Sequence, residues 1–515
     1  MKENITKNII FTFVITTCST VLSFVINKYI LDFFGEENLG LFRLLSQVVF
    51  YLTLLDLGIS TSATVAYYKP LMENNIRKLS KIYSTINAFY NKVALLTAVI
   101  GIISIPALTY MVNYESKLML AMYWMIFVFN TVITFIANKY VILFLADQRV
   151  FYVKAVTGLS IFFEKLTQIY ILFEFRSFLL FLSISIIISL FKLYLFKKKM
   201  NATYSKIEIV SERDFNVKSD AGNMFFHKLS HIVLYNTDNI IIVKFISLSV
   251  VAAYSSYLML VSIIMTIVSI FHSVVDPIIG HIIVKQNGYE NYQLWVVLFK
   301  FSFWISSLSS LGFYYFSTPF ITNWLGDKLT LDQTVVLLVI VNLFFDIIKW
   351  PTELVKYKYS YFKDIYNPII EVILNIGLSI ALVKVYGING VILGTVIVNI
   401  VSNVIIKPII VFRYCLSVSM FLFFRQLASS VLEMSCIILI VNYILSFFVK
   451  IDLYVGKSWY GFIESLTIFI FLYLIVWFCV IKVFKSHSTL ISFIYFIQKK
   501  EFKHDKGFNN NTHIQ

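Results

Sequence analysis

Asp238 stands in LYNTDNIII, residues 234–242, inside a run that is otherwise apolar. A carboxylate at the centre of a membrane-spanning helix costs about 2.5–3.5 kcal/mol on insertion scales, so such groups are functional candidates by default. Asp56, Glu164, Lys92, Lys165, Lys228 and Lys300 also fall inside apolar runs. At about 100° per residue, His227, Asp238, His231, Tyr235, Lys228 and Asn239 share a stripe roughly 120° wide. That stripe reads either as a wall facing water or as a set of hydrogen bonds between helices. Depth separates the candidates further. Lys92 and Lys300 lie within about two turns of a span end and can snorkel to the interface; Asp346, Lys349 and Glu371 are placed similarly. Glu164, Lys165, Asp56 and Asp238 lie nearer mid-membrane, where they must face a polar interior or pair with one another.

Reaction chemistry is poorly represented. No GxxxxGK[ST] loop for nucleotide phosphates and no HExxH zinc motif occurs in the chain. HKLSH (His227 to His231) puts two histidines on one helical face. It lacks a carboxylate at ligand spacing, so no metal site is expected. The four cysteines, Cys18, Cys415, Cys436 and Cys479, show no paired spacing and lie in or beside apolar stretches. Cys18 reads as part of an uncleaved first span, because the apolar run continues past it to Ile30. No loop on the outer side is long enough for a catalytic domain, and an enzyme is not expected.

The elements that must position these groups are membrane helices. The 515 residues are 59% hydrophobic and 14% charged, with 50 Phe and 32 Tyr; soluble domains hold about 25% charged residues. Runs of 18 or more apolar residues, enough to cross about 30 Å of hydrocarbon, recur from end to end. Fourteen spans are predicted near 9–31, 42–66, 88–112, 118–145, 152–174, 177–196, 223–247, 251–276, 293–317, 333–350, 366–386, 388–412, 427–449 and 460–483. With the N-terminus inside, roughly 30 of the 43 Lys and Arg fall on the cytoplasmic side, as the positive-inside rule requires. The net charge of +15 therefore reads as topology and attraction to anionic lipid, and nucleic acid is not an expected partner. The expected organisation is a first lobe at 1–196, a basic cytoplasmic linker at 197–222 and a second lobe at 223–413. Two further spans at 414–484 and a basic tail at 485–515 complete it.

Several stretches, in order along about residues 1–445, resemble the oligosaccharide or polysaccharide (Wzx-like) flippases of the multidrug/oligosaccharidyl-lipid/polysaccharide exporter superfamily. They are FGEENLGLFRLLSQVVFYLTLLDLGIS (Phe34 to Ser60) with YYKPL (Tyr67 to Leu71), and HKLSHIVLYNTDNIIIVKFISLSVVAAYSSYLML (His227 to Leu260). PFITNWLG (Pro319 to Gly326), NPIIEVILNIGLSIALVKVYGINGVILGT (Asn367 to Thr395) and Lys407–Pro408 follow. The chain departs from the family at Ser60, at Ala252 and Ser256, and at Asp276–Pro277 and Gly280–His281.

The resemblance implies an all-α polytopic membrane protein of MATE/MurJ-like fold, with about fourteen transmembrane helices. Two pseudo-symmetric six-helix lobes are followed by two C-terminal helices. It implies translocation of undecaprenyl-diphosphate-linked oligosaccharide across the bacterial cytoplasmic (inner) membrane by alternating access, with both termini cytoplasmic. The product would be a capsule, exopolysaccharide or O-antigen-type polymer. Lys28, Arg43, Lys92, Lys165, Lys228 and Lys300 are then the cations offered to the diphosphate and sugar. Asp56, Glu164, His231 and Asp238 hold those cations or carry a coupling H+ or Na+. No cofactor is implied. The expected partners are the lipid-linked oligosaccharide, the bilayer, and a polysaccharide polymerase with its chain-length machinery. A multidrug or small-cation antiporter of the same fold is the alternative reading; an inactive scaffold or an envelope-assembly enzyme is the third.

Overall fold

Helices account for all the regular structure in the computed structural model, which describes residues 5–56, 59–212, 236–283, 288–359, 361, 364, 366–446, 458–484 and 486. Twelve helices among these residues are long and apolar enough to cross a membrane. In hydrocarbon every backbone N–H and C=O must be satisfied within its own segment, which is why apolar runs of this length become helices.

α1 (Ile5–Thr53) has 49 residues. At about 1.5 Å per residue it would reach roughly 73 Å, more than twice the hydrocarbon thickness, so it contains the first predicted span and the start of the second. Gly35, at φ 81° and ψ −179°, breaks it into two arms; this left-handed geometry costs glycine nothing. The seventh predicted span, 223–247, falls mostly outside the described residues, and α8 (236–245) is its described part.

Several predicted boundaries shift. The span expected at 42–66 is interrupted by a 3-10 turn, Leu54–Asp56, and resumes as α2 (Ile59–Met72). α3 (Ile76–Ile103) begins well before residue 88, because Asn75 caps it by accepting the Lys78 N–H at 3.0 Å. Arg77, Lys78 and Lys81 are therefore helical and not loop residues. The chain restarts as α4 (Ile105–Met111), with Pro106 in its first turn. α5 (Lys117–Ala146) and α6 (Val150–Glu174) follow, and α7 (Phe178–Thr203) carries Lys197, Lys198 and Lys199 on its last turns.

α9 (Leu248–Ile283), α10 (Gly288–Leu325), α11 (Gln333–Ile348), α12 (Trp350–Lys358) and α13 (Tyr366–Tyr386) come next. The twelfth predicted span, 388–412, is α14 (Ile388–Ile400), a π-helical stretch (Val401–Ile406), α15 (Lys407–Ile410) and a second π stretch (Val411–Cys415). Pro408 lies between the π stretches; it has no N–H to donate, and the hydrogen-bond ladder slips register around it. α16 (Met420–Ile444) and α17 (Trp459–Val483) end the described chain.

The chain forms two compact units, Met1–Ala252 and Ala253–Gln515. Residues 236–252 belong to the first of these units. The first unit packs Tyr67, Tyr90, Phe144 and Phe196 into one core. The second builds one core on Trp295, Phe299, Phe412 and Phe423 and another on Phe316, Phe469 and Tyr473, which fastens α16 and α17 to α10. Lipid tails are as apolar as these side chains, so dispersion and close fit hold the helices together.

Candidate functional site

The first unit gathers positive charge in its interior. On the first arm of α1, Ser19, Ser23 and Asn27 recur every fourth residue and so share one face; Ser23 Oγ donates to the Ser19 carbonyl at 3.0 Å. Lys165 Nζ, from α6, donates to Ser23 Oγ. Arg43, on the second arm of α1, is near enough for its charge to bear on Lys165. Glu164 interacts electrostatically with both Lys165 and Lys192 of α7. Lys139 of α5 is buried at 8% exposure and donates to Asn87 Oδ1 at 2.7 Å. Four basic side chains thus sit among the helices of this unit.

Other predicted groups here are placed differently. Lys28 pairs with Asp32 at 3.1 Å, with both side chains about 40% exposed (42% and 43%). Lys92 is exposed on α3. Asp56 closes the 3-10 turn and accepts Tyr90 Oη at 2.5 Å and Ser60 Oγ at 2.9 Å, so it ties α1, α2 and α3 together. Lys228 and His231, with the rest of HKLSH, lie outside the described residues.

Asp238 is buried in α8 beside Thr237, whose Oγ1 shares a 2.6 Å hydrogen bond with Tyr51 Oη on the second arm of α1. A Cβ added at Gly40 would lie 2.0 Å from the Leu248 carbonyl oxygen, so glycine is what allows residues 246–250 to reach this arm. Lys244 Nζ sits over the Tyr110 ring at 3.6 Å. An apolar cavity of about 120 Å³ lies in the same contact, lined by Leu44, Val48, Leu108, Trp124, Ile240 and Val243 among others.

In the second unit Lys300, Lys349, Lys356 and Lys407 have carboxylate partners. Lys300 pairs with Glu433 of α16 at 3.6 Å and donates to Ser486 Oγ at 2.5 Å; Trp304 Nε1 donates to Glu433 at 2.9 Å. Lys300 is thus engaged in joining α10 to α16. Lys407 binds Glu353 at 2.8 Å, Glu371 at 3.4 Å and Asn403 Oδ1 at 2.9 Å. Lys349 pairs with Asp346 at 2.6 Å, and Lys356 pairs with Asp364. Among the described residues no group of His, Cys, Asp and Glu could hold a metal ion.

Lys139 and Glu433 were not singled out from sequence; Lys407 and Glu371 were named, but not as partners. Glu433 carried a signal, a carboxylate within the predicted span 427–449. Lys139 lies so near the end of its span that it reads as an interfacial lysine.

The chain after α7 lies on the surface of the first unit. Tyr204 Oη and Arg149 Nε both donate to Asp147 Oδ2, the latter at 2.6 Å. The Asp147 hydrogen bond holds Arg149 above its ordinary pKa, and burial does the same for Tyr204. Glu212 meets Lys81 and, at 3.4 Å, Arg77. The hydrogen bond from Lys81, then the charges of Lys81 and Arg77, hold its carboxyl below the usual range.

No family model matches the chain, and no curated protein matches it in sequence. Solved structures do match in fold. One is the lipid II flippase MurJ in an inward closed conformation, at TM-score 0.67 and 15% identity, covering 92% of this chain and 99% of that one. Another is an inward-facing multidrug resistance MATE family transporter of the MOP superfamily, at TM-score 0.60 and 14% identity, covering 75% and 92%. The fold is that of these multi-pass membrane transporters.

Proposed function

We propose, on the premise of a fold shared with a lipid flippase and a multidrug transporter, that this protein is a flippase for lipid-linked oligosaccharide. It carries undecaprenyl-diphosphate-linked repeat units across the bacterial cytoplasmic membrane for a capsule, exopolysaccharide or O-antigen-type polymer. The observation that carries this reading is the cationic interior of the first unit. Lys139 is buried and Lys165, Lys192 and Arg43 are half-buried among its helices, with Glu164 beside Lys165 and Lys192. Cations held among membrane helices are expensive, and an anionic cargo offsets that cost. A proton-coupled exporter of cationic drugs would instead rely on carboxylates.

Lys165 and Arg43 are the residues for the diphosphate: charge-assisted hydrogen bonds to phosphate are about twice as strong as neutral ones. Ser19, Ser23 and Asn27 offer the neutral donors and acceptors that sugar hydroxyls need. The lipid tail stays in the bilayer while the head crosses. Residues 237–248 dock along the second arm of α1 between Tyr51 and Gly40, the stretch that carries Arg43, and serve as a gate there. An inside-negative potential favours the outward step of a diphosphate by about 4–5 kcal/mol per 100 mV. Transport then runs without an obligatory coupling ion, although Asp56, Glu164 and Asp238 remain the groups to carry H+ or Na+.

The test is reconstitution into liposomes with a fluorescent lipid-linked oligosaccharide, scored by its access to an impermeant quencher in the opposite leaflet. The parent protein should move the lipid, and Lys165→Ala should not. Movement undiminished in Lys165→Ala and Arg43→Ala, with cationic-dye efflux lost in Asp238→Asn, would replace the flippase with an antiporter.

A further inference from the structure

Residues 204–212 form a strap on the first unit, a turn at Ser205–Lys206 followed by extended chain at 207–210, which polar atoms hold to α3. The Glu208 N–H donates to Ser80 Oγ at 3.2 Å and the Val210 N–H to Ser84 Oγ at 2.8 Å. Two residues of extended chain advance about 6.6 Å and four residues of helix about 6.0 Å, so alternate strap amides meet successive turns of α3. The chain then bends at Ser211, and Glu212 turns back to Lys81 and Arg77. Tyr204 and Ile207 anchor the near end against the apolar core.

The strap covers part of a polar stripe. At about 100° per residue Ser80, Ser84, Asn87 and Asn91 fall within roughly 60° of one another on α3, while Lys78, Lys81, Thr85 and Lys92 lie on another face. Ser80 and Ser84 are buried, Asn87 holds Lys139, and Asn91, beyond the strap, is exposed. Beyond Ile207 apolar burial does not fix the strap: its Ile209 is 68% exposed. Hydrogen bonds that water can replace contribute little net, and the exposed Glu212 pairs are screened by salt. The hold on residues 208–212 is therefore weak.

We propose that residues 204–212 are an autoinhibitory strap, fastened by Glu212, which must leave the α3 stripe before the first unit can carry its cargo. This rests on the transport reading above. The experiment uses the full chain in proteoliposomes, with two readouts: tryptic cleavage after the exposed Lys206, scored by mass spectrometry, and oligosaccharide-lipid movement. At low ionic strength Glu212→Gln should be cleaved about threefold faster and transport at least about twofold faster. Near 1 M salt, where the screening length is about 3 Å, the parent should match it. Arg77→Glu and Lys81→Glu combined with Glu212→Lys, which reverses both partners, should restore parental cleavage and rate.

Unchanged cleavage in Glu212→Gln would show that Glu212 does not fasten the strap. Faster cleavage with equal or slower transport would make the strap a brace. Either result overturns the proposal. A parent protein that moves no lipid-linked oligosaccharide would instead remove the transport reading, and the cleavage series would still decide whether the Glu212 pairs hold the strap down.

Discussion

Lys165 and Lys300 are both lysines inside helices, and their neighbours give them different roles. Lys165 donates to a serine hydroxyl and shares Glu164 with Lys192, so it keeps positive character to offer. Replacing it with alanine should slow lipid movement at least about tenfold, in line with the 1.5–3 kcal/mol of a hydrogen bond to a charged group, and leave thermal stability nearly unchanged. Lys300 lies against Glu433, which is only 3% exposed. Lys300→Ala should destabilise the protein by about 3–5 kcal/mol, because it strands a buried carboxylate. Thermal unfolding in detergent would show this, and Lys300→Met with Glu433→Leu should recover most of the loss. Glu212 is a surface case with a pH signature. Its folded-state pKa is depressed, so its hold on the strap is present above the free carboxylate value and is lost as pH falls through the folded one. A spin label at Ile209 should become mobile as pH falls in that range, and the step should vanish in Glu212→Gln.

Glycines decide how the helices of the first unit end and meet. Gly35 breaks α1, and Gly40 lets the Leu248 carbonyl come within 2.0 Å of where a side chain would begin. Gly40→Val should therefore push residues 246–250 off the second arm of α1. Cysteines placed at Tyr51 and Thr237, whose side chains meet through the tyrosine hydroxyl, should be bridged readily by a short bismaleimide in the parent background and poorly with Gly40→Val. An undiminished yield would mean that the contact tolerates the clash. At this scale the sequence shows membrane interiors well and wet ends badly. Apolar runs must be helical in lipid, so α5, α13 and α17 fall close to their predicted limits. The start of α3 does not, because Arg77 and Lys78 look like loop residues until Asn75 is seen to cap them. The Ser80–Asn91 stripe was readable at helical spacing. What covers it was not, since a strap beyond α7 leaves no periodic signal. Nor was the partner of Gly40 or of Lys300, each more than a hundred residues away.

For the whole molecule, net movement of an anionic head makes transport electrogenic. Two negative charges carried outward should couple by about 4–5 kcal/mol per 100 mV. Setting an inside-negative potassium-diffusion potential in proteoliposomes should therefore drive net outward movement, and reversing its sign should reverse the accumulation. Equal accumulation under either sign would mean that the head crosses with its charge compensated, by H+ or Na+ taken up at the carboxylates named above. The two units are not completed at the same moment of synthesis. Glu433 follows Lys300 by about 130 residues, which at 5–20 residues per second means roughly 7–27 s of translation. Over that interval the ribosome has delivered a lysine to the bilayer without the acid that later neutralises it. A nascent chain stalled or truncated at Val418 would display that unmatched charge, a mark that membrane quality control can read. Such a truncation should be degraded quickly, and Lys300→Met in the same truncation should prolong its half-life. The Lys300–Glu433 pair would then act as a checkpoint for completed biogenesis.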